Sequence, residues 1–290
     1  MARTPAPSDG RFPEKHDIQK DTLMTAEMDI KTFYDNPLKK RGREAEHDAE
    51  DAAHFDAEAL RFLNEEGESS LIVDLHEEKP PRHRAFWRQL LVAPGKRVLD
   101  VGCGYGYAST LLSMMGADVT AIDVSKGMCE LTRLSAQLNG VEIDVRNISA
   151  VDTGFPDEHF DIIIGQVSLH HLPLESAGEE LARVLKPRGK AVFLEPIQPR
   201  EWVFNLRANL PFVCHESPGG GALRLDEIEA LGEIFGDYEI QYFNITERLR
   251  RFKAIDWFSP VLYTTDSILL KIPVMKGFAA SAVIIFTKTI

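Results

Sequence analysis

Residues 98–106 read VLDVGCGYG, and this stretch decides the fold. An apolar strand pattern ends in a turn with glycines at positions 102, 104 and 106, and helical spacing resumes at Ala108. Glycine is needed where φ is positive or where the backbone must approach a ligand closely. A helix that starts directly after such a turn offers free N–H groups. The stretch therefore predicts a strand–turn–helix unit that binds a ligand, with a plain tight βα turn as the alternative.

Short apolar runs alternate with helical segments on both sides of this turn. The predicted strands are Arg97–Val101, Asp118–Ile122, Val141–Val145, Phe160–Ile164, Lys190–Leu194, Tyr238–Phe243 and Ser281–Thr287. The predicted helices among them are Ala108–Met115, Lys126–Leu138, Glu175–Leu185 and Leu225–Ile234. Strands that alternate with helices of this length predict an α/β fold with a doubly wound, mostly parallel sheet.

The sequence divides the chain into three parts: a leader, a helical cap and a main domain. Residues 1–30 contain three prolines and many charges without a sustained period, and we interpret them as a flexible leader. Residues 31–92 are predicted to form an N-terminal helical cap, with helices over Arg41–Leu63 and Arg82–Leu91. Residues 93–290 are predicted to form the main domain, with insertions near 197–224 and 252–275 that are expected to cover the substrate. The aromatic residues of these insertions, which indicate an apolar or ring-bearing substrate or a self-packed lid, are Trp202, Phe204, Phe212, Trp257, Phe258 and Tyr263.

Composition limits the classes of partner. The chain has 33 Lys+Arg against 45 Asp+Glu, a formal net charge of −12, which disfavours a nucleic-acid partner. The three cysteines, Cys103, Cys129 and Cys214, are too scattered for a disulfide framework or a zinc cluster, so we expect reduced thiols in a cytoplasmic protein. The polar N-terminus does not resemble a signal peptide. The most apolar stretch, Ser267–Phe286, is interrupted by two lysines and a proline, so no membrane span is expected.

Two acids beside the glycine turn distinguish between nucleotide ligands. A dinucleotide fingerprint would place the third glycine at position 107, where the chain has Tyr107. Asp100 precedes the turn and suits an ammonium group better than a pyrophosphate. Asp123 follows the second strand, 21 residues after Gly102, where an acid can accept bonds from ribose hydroxyls. An aspartate there is, taken alone, more often a helix N-cap, but together with the turn it favours S-adenosylmethionine over NAD.

The chain also resembles a known family over about residues 90–196. The stretches VLDVGCGYG, AIDVS, FPDEHFDIIIGQVSLHHL and ARVLKPRGKAVFLEP, in this order, are similar to class I S-adenosylmethionine-dependent methyltransferases, in particular the type 11-like group that acts on small molecules. The resemblance implies a Rossmann-like seven-stranded sheet in the order 3-2-1-4-5-7-6, with the last strand antiparallel. It also implies that the N-terminal helices fold over the cofactor.

The resemblance assigns cofactor-binding roles by position. Asp100 would face the methionine ammonium group, the glycines would pass under the cofactor, and Asp123 would hold the ribose. The family often has an adenine-binding Asp after the third strand, but here Asn147, Ile148 and Ser149 stand, so Ser149, Asn147 or a backbone carbonyl would replace it. The implied cofactor-binding residues are Asp100, Gly102, Cys103, Gly104, Gly106, Asp123, Val124, Met128, Ile148, Ser149 and Gln166.

The candidate catalytic residues follow the fourth and fifth strands. His170 and His171 are possible general bases, and adjacent residues at a helix start point about 100° apart, so at most one should face the substrate. Both can equally be structural. Glu195 could orient an amine, accept a proton, or cap Asn205 or Arg207. His54 is more typical of a cap contact.

The sequence lacks the adjacent acids and amide that would suggest a metal-bound catechol, so no metal is expected. The motif of nucleic-acid amino-methylating enzymes is also absent after the fourth strand, so no nucleic-acid substrate is expected. A basic cluster of Arg248, Arg250, Arg251 and Lys253 suits an acidic substrate or a solvated helix face.

The sequence thus predicts methyl transfer from S-adenosylmethionine to a small organic molecule by in-line displacement, with S-adenosylhomocysteine as the product. The acceptor atom, O, N, S or C, stays open. The alternatives are an enzyme of the same fold that catalyses a cyclisation or decarboxylation, a non-catalytic cofactor-binding partner protein, and a nicotinamide oxidoreductase.

Overall fold

The computed structural model describes residues 44–74, 79–90, 95–200, 202–203, 221–246 and 257–289. Its strands are β1 Arg97–Val101, β2 Asp118–Asp123, β3 Asp144–Asn147, β4 Phe160–Gln166, β5 Leu185–Pro196, β6 Gly236–Phe243 and β7 Ser281–Lys288. They form one sheet in the order β3-β2-β1-β4-β5-β7-β6, in which β7 runs antiparallel to both neighbours. The predicted doubly wound sheet and its strand order are confirmed.

Helices cover both faces of this sheet. They are α1 Glu44–Glu65, α2 Pro81–Gln89, α3 Tyr107–Met114, α4 Lys126–Asn139, α5 Leu174–Val184, α6 Leu225–Phe235 and α7 Ser259–Leu269. Consecutive strand residues point to opposite faces. In β1, Leu99 therefore packs in the core cluster of α5 and α6, whereas Val98 packs in the cluster of α2 and α3.

The two largest differences from the predicted strand boundaries are at the starts of β3 and β5. β3 begins at Asp144 and not at Val141, because Gly140 (φ 68) ends α4 in the left-handed conformation and the Val141 N–H donates to the Ala136 carbonyl at 3.0 Å. β5 begins at Leu185, ahead of the predicted Lys190. Its pairing with β4 shifts register between Leu185 and Lys190, so residues 186–189 form an irregular stretch inside the strand.

The N-terminal helix α1 docks on the start of α4. One Asp56 carboxylate oxygen, Oδ1, accepts hydrogen bonds from the Ser125 hydroxyl at 2.6 Å and the Gly127 N–H at 2.7 Å. A Cβ added at Gly127 would lie 2.9 Å from the Cβ of Ala59, so the close approach requires glycine at this position. These contacts place α1 over the edge where β1, β2 and β4 end. The predicted leader and residues 31–43 lie outside the described residues.

Within the described part of the chain, no helix is both long enough and apolar enough to cross a membrane.

Candidate cofactor and active site

The glycine turn forms the floor of a cavity of about 360 Å³ at the carboxyl edge of the sheet. This volume lies within the range of small-molecule and cofactor sites. Gly104 lines the cavity with a φ of +52°, and a Cβ added there would meet no atom within 4 Å. Gly106 has a φ of +79°, and a Cβ there would lie 2.8 Å from the Thr132 Cα. Gly104 therefore leaves space above the backbone, whereas Gly106 permits close packing beneath it.

The structure brings most of the predicted cofactor residues together around this cavity. Each of them lines it except Gly106 and Ser149. Asn147 and Ser149 have partners within the protein. The Asn147 amide donates to the carbonyls of Asp123 and Val124 at the end of β2, at 2.9 and 2.8 Å. The Ser149 hydroxyl accepts from the Val151 N–H in its own loop at 3.3 Å. In the loop after β3, the apolar Ile148 lines the cavity.

Asp100, near the end of β1, is a buried carboxyl group that faces the cavity. Burial raises its pKa to about 6, although a 2.5 Å hydrogen bond from the Ser109 hydroxyl opposes the rise and the charge of Asp123 adds to it. A cation in the cavity would favour the ionised form of this group.

Asp123, at the end of β2, is hydrogen-bonded to the glycine turn. Its Oδ2 accepts from the Gly104 N–H at 3.1 Å and its Oδ1 from the Ser125 N–H at 2.9 Å. Burial raises the pKa of Asp123 to about 6 against the lowering effect of these two bonds, and the nearby Asp56 and Asp51 raise it further. Since a carboxylate oxygen can accept more than one hydrogen bond, the group has capacity for a ligand.

The cavity wall is acidic. Three carboxylates from one face of α1, Asp48, Asp51 and Glu58, join Asp100 and Asp123. The described residues that line the cavity include no lysine or arginine. Such a wall attracts a cationic ligand and repels a pyrophosphate. The α1 acids were missing from the predicted site, although their helical spacing with Phe55 was the signal that could have found them.

His170 and Glu195 form a buried pair outside the cavity lining. The two side chains lie 2.6 Å apart, between His170 Nδ1 and Glu195 Oε2. The other Glu195 oxygen accepts from the N–H groups of Ser168 and Leu169 at 2.9 and 2.8 Å. Glu195 therefore holds the turn that follows β4. The alternative caps for Glu195, Asn205 and Arg207, lie outside the described residues.

His171, in contrast, lines the cavity. Its Nδ1 lies 3.6 Å from Asp51 Oδ2, and its ring contacts Phe55 edge-on at 5.3 Å between centroids. Leu169–His171 form a 3₁₀ turn in which the two histidine rings lie 4.3 Å apart, tilted by 42°. The structure thus gives the adjacent histidines different partners, and only one of them faces the cavity.

The other residues that the sequence singled out are His54, the cysteines and residues of the two insertions. His54 does not line the cavity and lies 3.8 Å from a Glu58 oxygen through its Nε2. Cys103 and Cys129 are free and buried. Cys214, the aromatic residues Phe204 and Phe212, and the basic cluster at 248–253 lie outside the described residues. Among the residues that the structure does describe, no group of three or more His, Cys, Asp or Glu side chains is placed to hold a metal ion.

The fold and this site define a Rossmann-like methyltransferase architecture, and comparison with known proteins agrees. A family model described as a methyltransferase domain matches residues 99–193. The matched residues include the glycine turn, Asp123 and the turn after β4.

Proteins similar in sequence include two ubiquinone biosynthesis O-methyltransferases. The protein from Alkalilimnicola ehrlichii is 36% identical over 160 residues, which cover 54% of this chain and 63% of that protein. The protein from Nitrosococcus oceani is 34% identical over 148 residues, 50% of this chain and 61% of that protein. The chain thus matches less than two thirds of the length of these relatives.

Solved structures show the same fold at lower identity. A geranyl diphosphate methyltransferase in complex with GPP and sinefungin has a TM-score of 0.58 at 17% identity, over 84% of this chain and all of that chain. The geranyl diphosphate C-methyltransferase from Streptomyces coelicolor A3(2) has a TM-score of 0.53 at 17% identity, over 78% of this chain and 83% of that one.

Proposed function

We propose that this protein transfers the methyl group of S-adenosylmethionine to a small organic molecule and releases S-adenosylhomocysteine. The acidic cavity over the glycine turn carries this proposal. S-adenosylmethionine bears a sulfonium and an ammonium group, whereas NAD bears a pyrophosphate that the carboxylates of Asp100, Asp123 and α1 would repel. The methyltransferase-domain match at residues 99–193 and the named O-methyltransferase relatives support the same conclusion.

The cavity residues fit this methyl donor. Asp123 has acceptor capacity for both ribose hydroxyls, and Asp100 would face the methionine ammonium group. Gly104 leaves room for the ligand to pass over the backbone. The apolar side chains of Val124, Met128 and Ile148 line the cavity and would pack on the adenine. The donor supplies an activated methyl group, so the protein must chiefly align the acceptor and exclude water.

His171 is the best-placed general base if the acceptor is a hydroxyl. It lines the cavity, and the Asp51 carboxylate lies 3.6 Å from its Nδ1. His170 and Glu195, which were also candidates, act in this proposal as positioning residues, because their mutual bond and the Glu195 contacts to Ser168 and Leu169 fix the turn that carries His171.

For the substrate, we propose only a chemical class. The rings of Phe55, Tyr105 and Tyr107 line the cavity, which suits an apolar or ring-bearing acceptor. The named O-methyltransferase relatives favour a hydroxyl. A cytoplasmic location, the absence of a nucleic-acid partner and independence from metal stay predictions.

Product analysis tests the function. We expect the purified protein, given S-adenosylmethionine and a panel of phenols, amines and thiols, to form S-adenosylhomocysteine together with one acceptor that is heavier by a methylene unit, as measured by mass spectrometry. Conversion of a substrate to an isomer without S-adenosylhomocysteine would support cyclisation instead. Cofactor retention with no product across the panel and in cell extract would support a non-catalytic partner protein.

A further inference from the structure

Large apolar side chains are exposed together on the segment between β6 and β7. We call residues 257–274 of this segment the apolar surface. Trp257 is 78% exposed, Ile268 57% and Val274 53%. The other exposed members are Phe258, Val261 and Ile272. Single exposed apolar residues need no explanation, but six of them within eighteen residues point to an interaction site.

The helix α7 is held in the orientation that exposes this surface. Asp266 is buried on its inner side and accepts hydrogen bonds from the N–H groups of Ile245 and Thr246 at 3.1 and 2.7 Å and from the Thr246 hydroxyl at 2.6 Å. Leu262, one turn earlier, is buried on the same side. Val261 and Ile268 therefore lie on the exposed side of the helix, away from Leu262 and Asp266, and the exposed Phe258 directly precedes it.

The charge on this surface differs from that of the whole protein. Among residues 257–278, the single acid is the buried Asp266, whereas Lys271 and Lys276 are exposed. The whole chain has a net charge of −12. An apolar surface with lysines and no exposed acid is complementary to an anionic interface.

The apolar surface lies at the same edge of the sheet as the cavity. β7 begins at Ser281, which pairs with Pro196 at the end of β5 and with Phe243 at the end of β6. Because β7 is antiparallel, its start lies at the carboxyl edge of the parallel strands. The segment that precedes Ser281 therefore stands at the edge where the glycine turn, Asp123 and the turn after β4 form the cavity.

We propose that the apolar surface docks the protein on an anionic lipid bilayer. Trp257, Phe258, Val261 and Ile268 would enter the region between headgroups and acyl chains, and Lys271 and Lys276 would contact lipid phosphates. The inference stands independently of methyl transfer, since it rests on exposure and charge alone.

Vesicle co-sedimentation of the full chain tests this proposal. We expect the protein to pellet with phosphatidylcholine vesicles that contain phosphatidylglycerol, and less with phosphatidylcholine alone. The Ile268→Asp variant should weaken binding to the anionic vesicles by about tenfold or more, since it places a charge in the apolar contact. The matched control is Met114→Ser with Met115→Ser, which removes exposed apolar side chains at the opposite edge of the sheet and should bind as the wild type does.

Two outcomes would overturn the proposal. The first is wild-type protein that stays in the supernatant with anionic vesicles, or an Ile268→Asp variant that binds them as tightly as the wild type. The second is a wild-type dimer in light scattering that Ile268→Asp converts to a monomer, which would assign the apolar surface to a second copy of the chain. Because the readout is binding, neither outcome bears on methyl transfer.

Discussion

Replacing Asp123 by alanine will weaken the binding of S-adenosylhomocysteine by about 2–4 kcal/mol, or roughly 30- to 1,000-fold, because two charge-assisted hydrogen bonds to the ribose are lost. Isothermal titration calorimetry on the purified variant measures this change. The expected effect is large because Asp123 lines the cavity while it also supports the glycine turn through the Gly104 N–H.

The second role of Asp123 requires a control. Asp118→Ala removes an exposed acid from the other end of the same strand and should bind the ligand as the wild type does. Circular dichroism and thermal unfolding should show that the Asp123→Ala variant is folded at the temperature of the titration. A folded variant with unchanged affinity would refute the ribose assignment.

Replacing His171 by alanine will reduce turnover by about 10²–10⁴-fold on a hydroxyl acceptor, the usual effect of removing a general base, while the affinity for S-adenosylhomocysteine stays nearly unchanged. Asp51→Asn should lower kcat in the same direction by a smaller factor, because it leaves the imidazole in place but removes the negative charge beside it. Steady-state kinetics with saturating methyl donor measure both changes.

His170→Ala is the matched variant for this prediction. It removes the buried contact with Glu195 and should lower the melting temperature, whereas His171→Ala should not disturb that pair. Added imidazole should restore part of the activity of His171→Ala but not of His170→Ala. If the two alanine variants retain equal activity, the reaction proceeds by alignment alone on an amine, thiol or carbon acceptor.

Much of the fold could be predicted because it depends on local patterns. The glycine turn, the strand β1 and the acid at the end of β2 are all local signals, and the family resemblance added the strand order. The start of β3 was wrong by three residues because Gly140 and Val141 complete the end of α4, and apolar strand patterns do not show a helix cap.

The roles within the site depended on contacts that no local pattern contains. Which histidine faces the cavity is set by the bond between His170 and Glu195, which are 25 residues apart in the chain. The acids of α1 reach the cavity because Asp56 docks that helix on Ser125 and Gly127. The sequence could therefore provide the candidates, but not the partner that each of them has.

The central claim is that the cavity over the glycine turn binds S-adenosylmethionine. Its most direct test is calorimetric titration of the wild-type protein with S-adenosylmethionine and, in parallel, with NAD. We expect saturable binding of one S-adenosylmethionine per chain and no binding of NAD, since the acidic wall attracts the sulfonium and repels the pyrophosphate. Binding of NAD, or no heat from S-adenosylmethionine with a folded protein, would contradict the assignment.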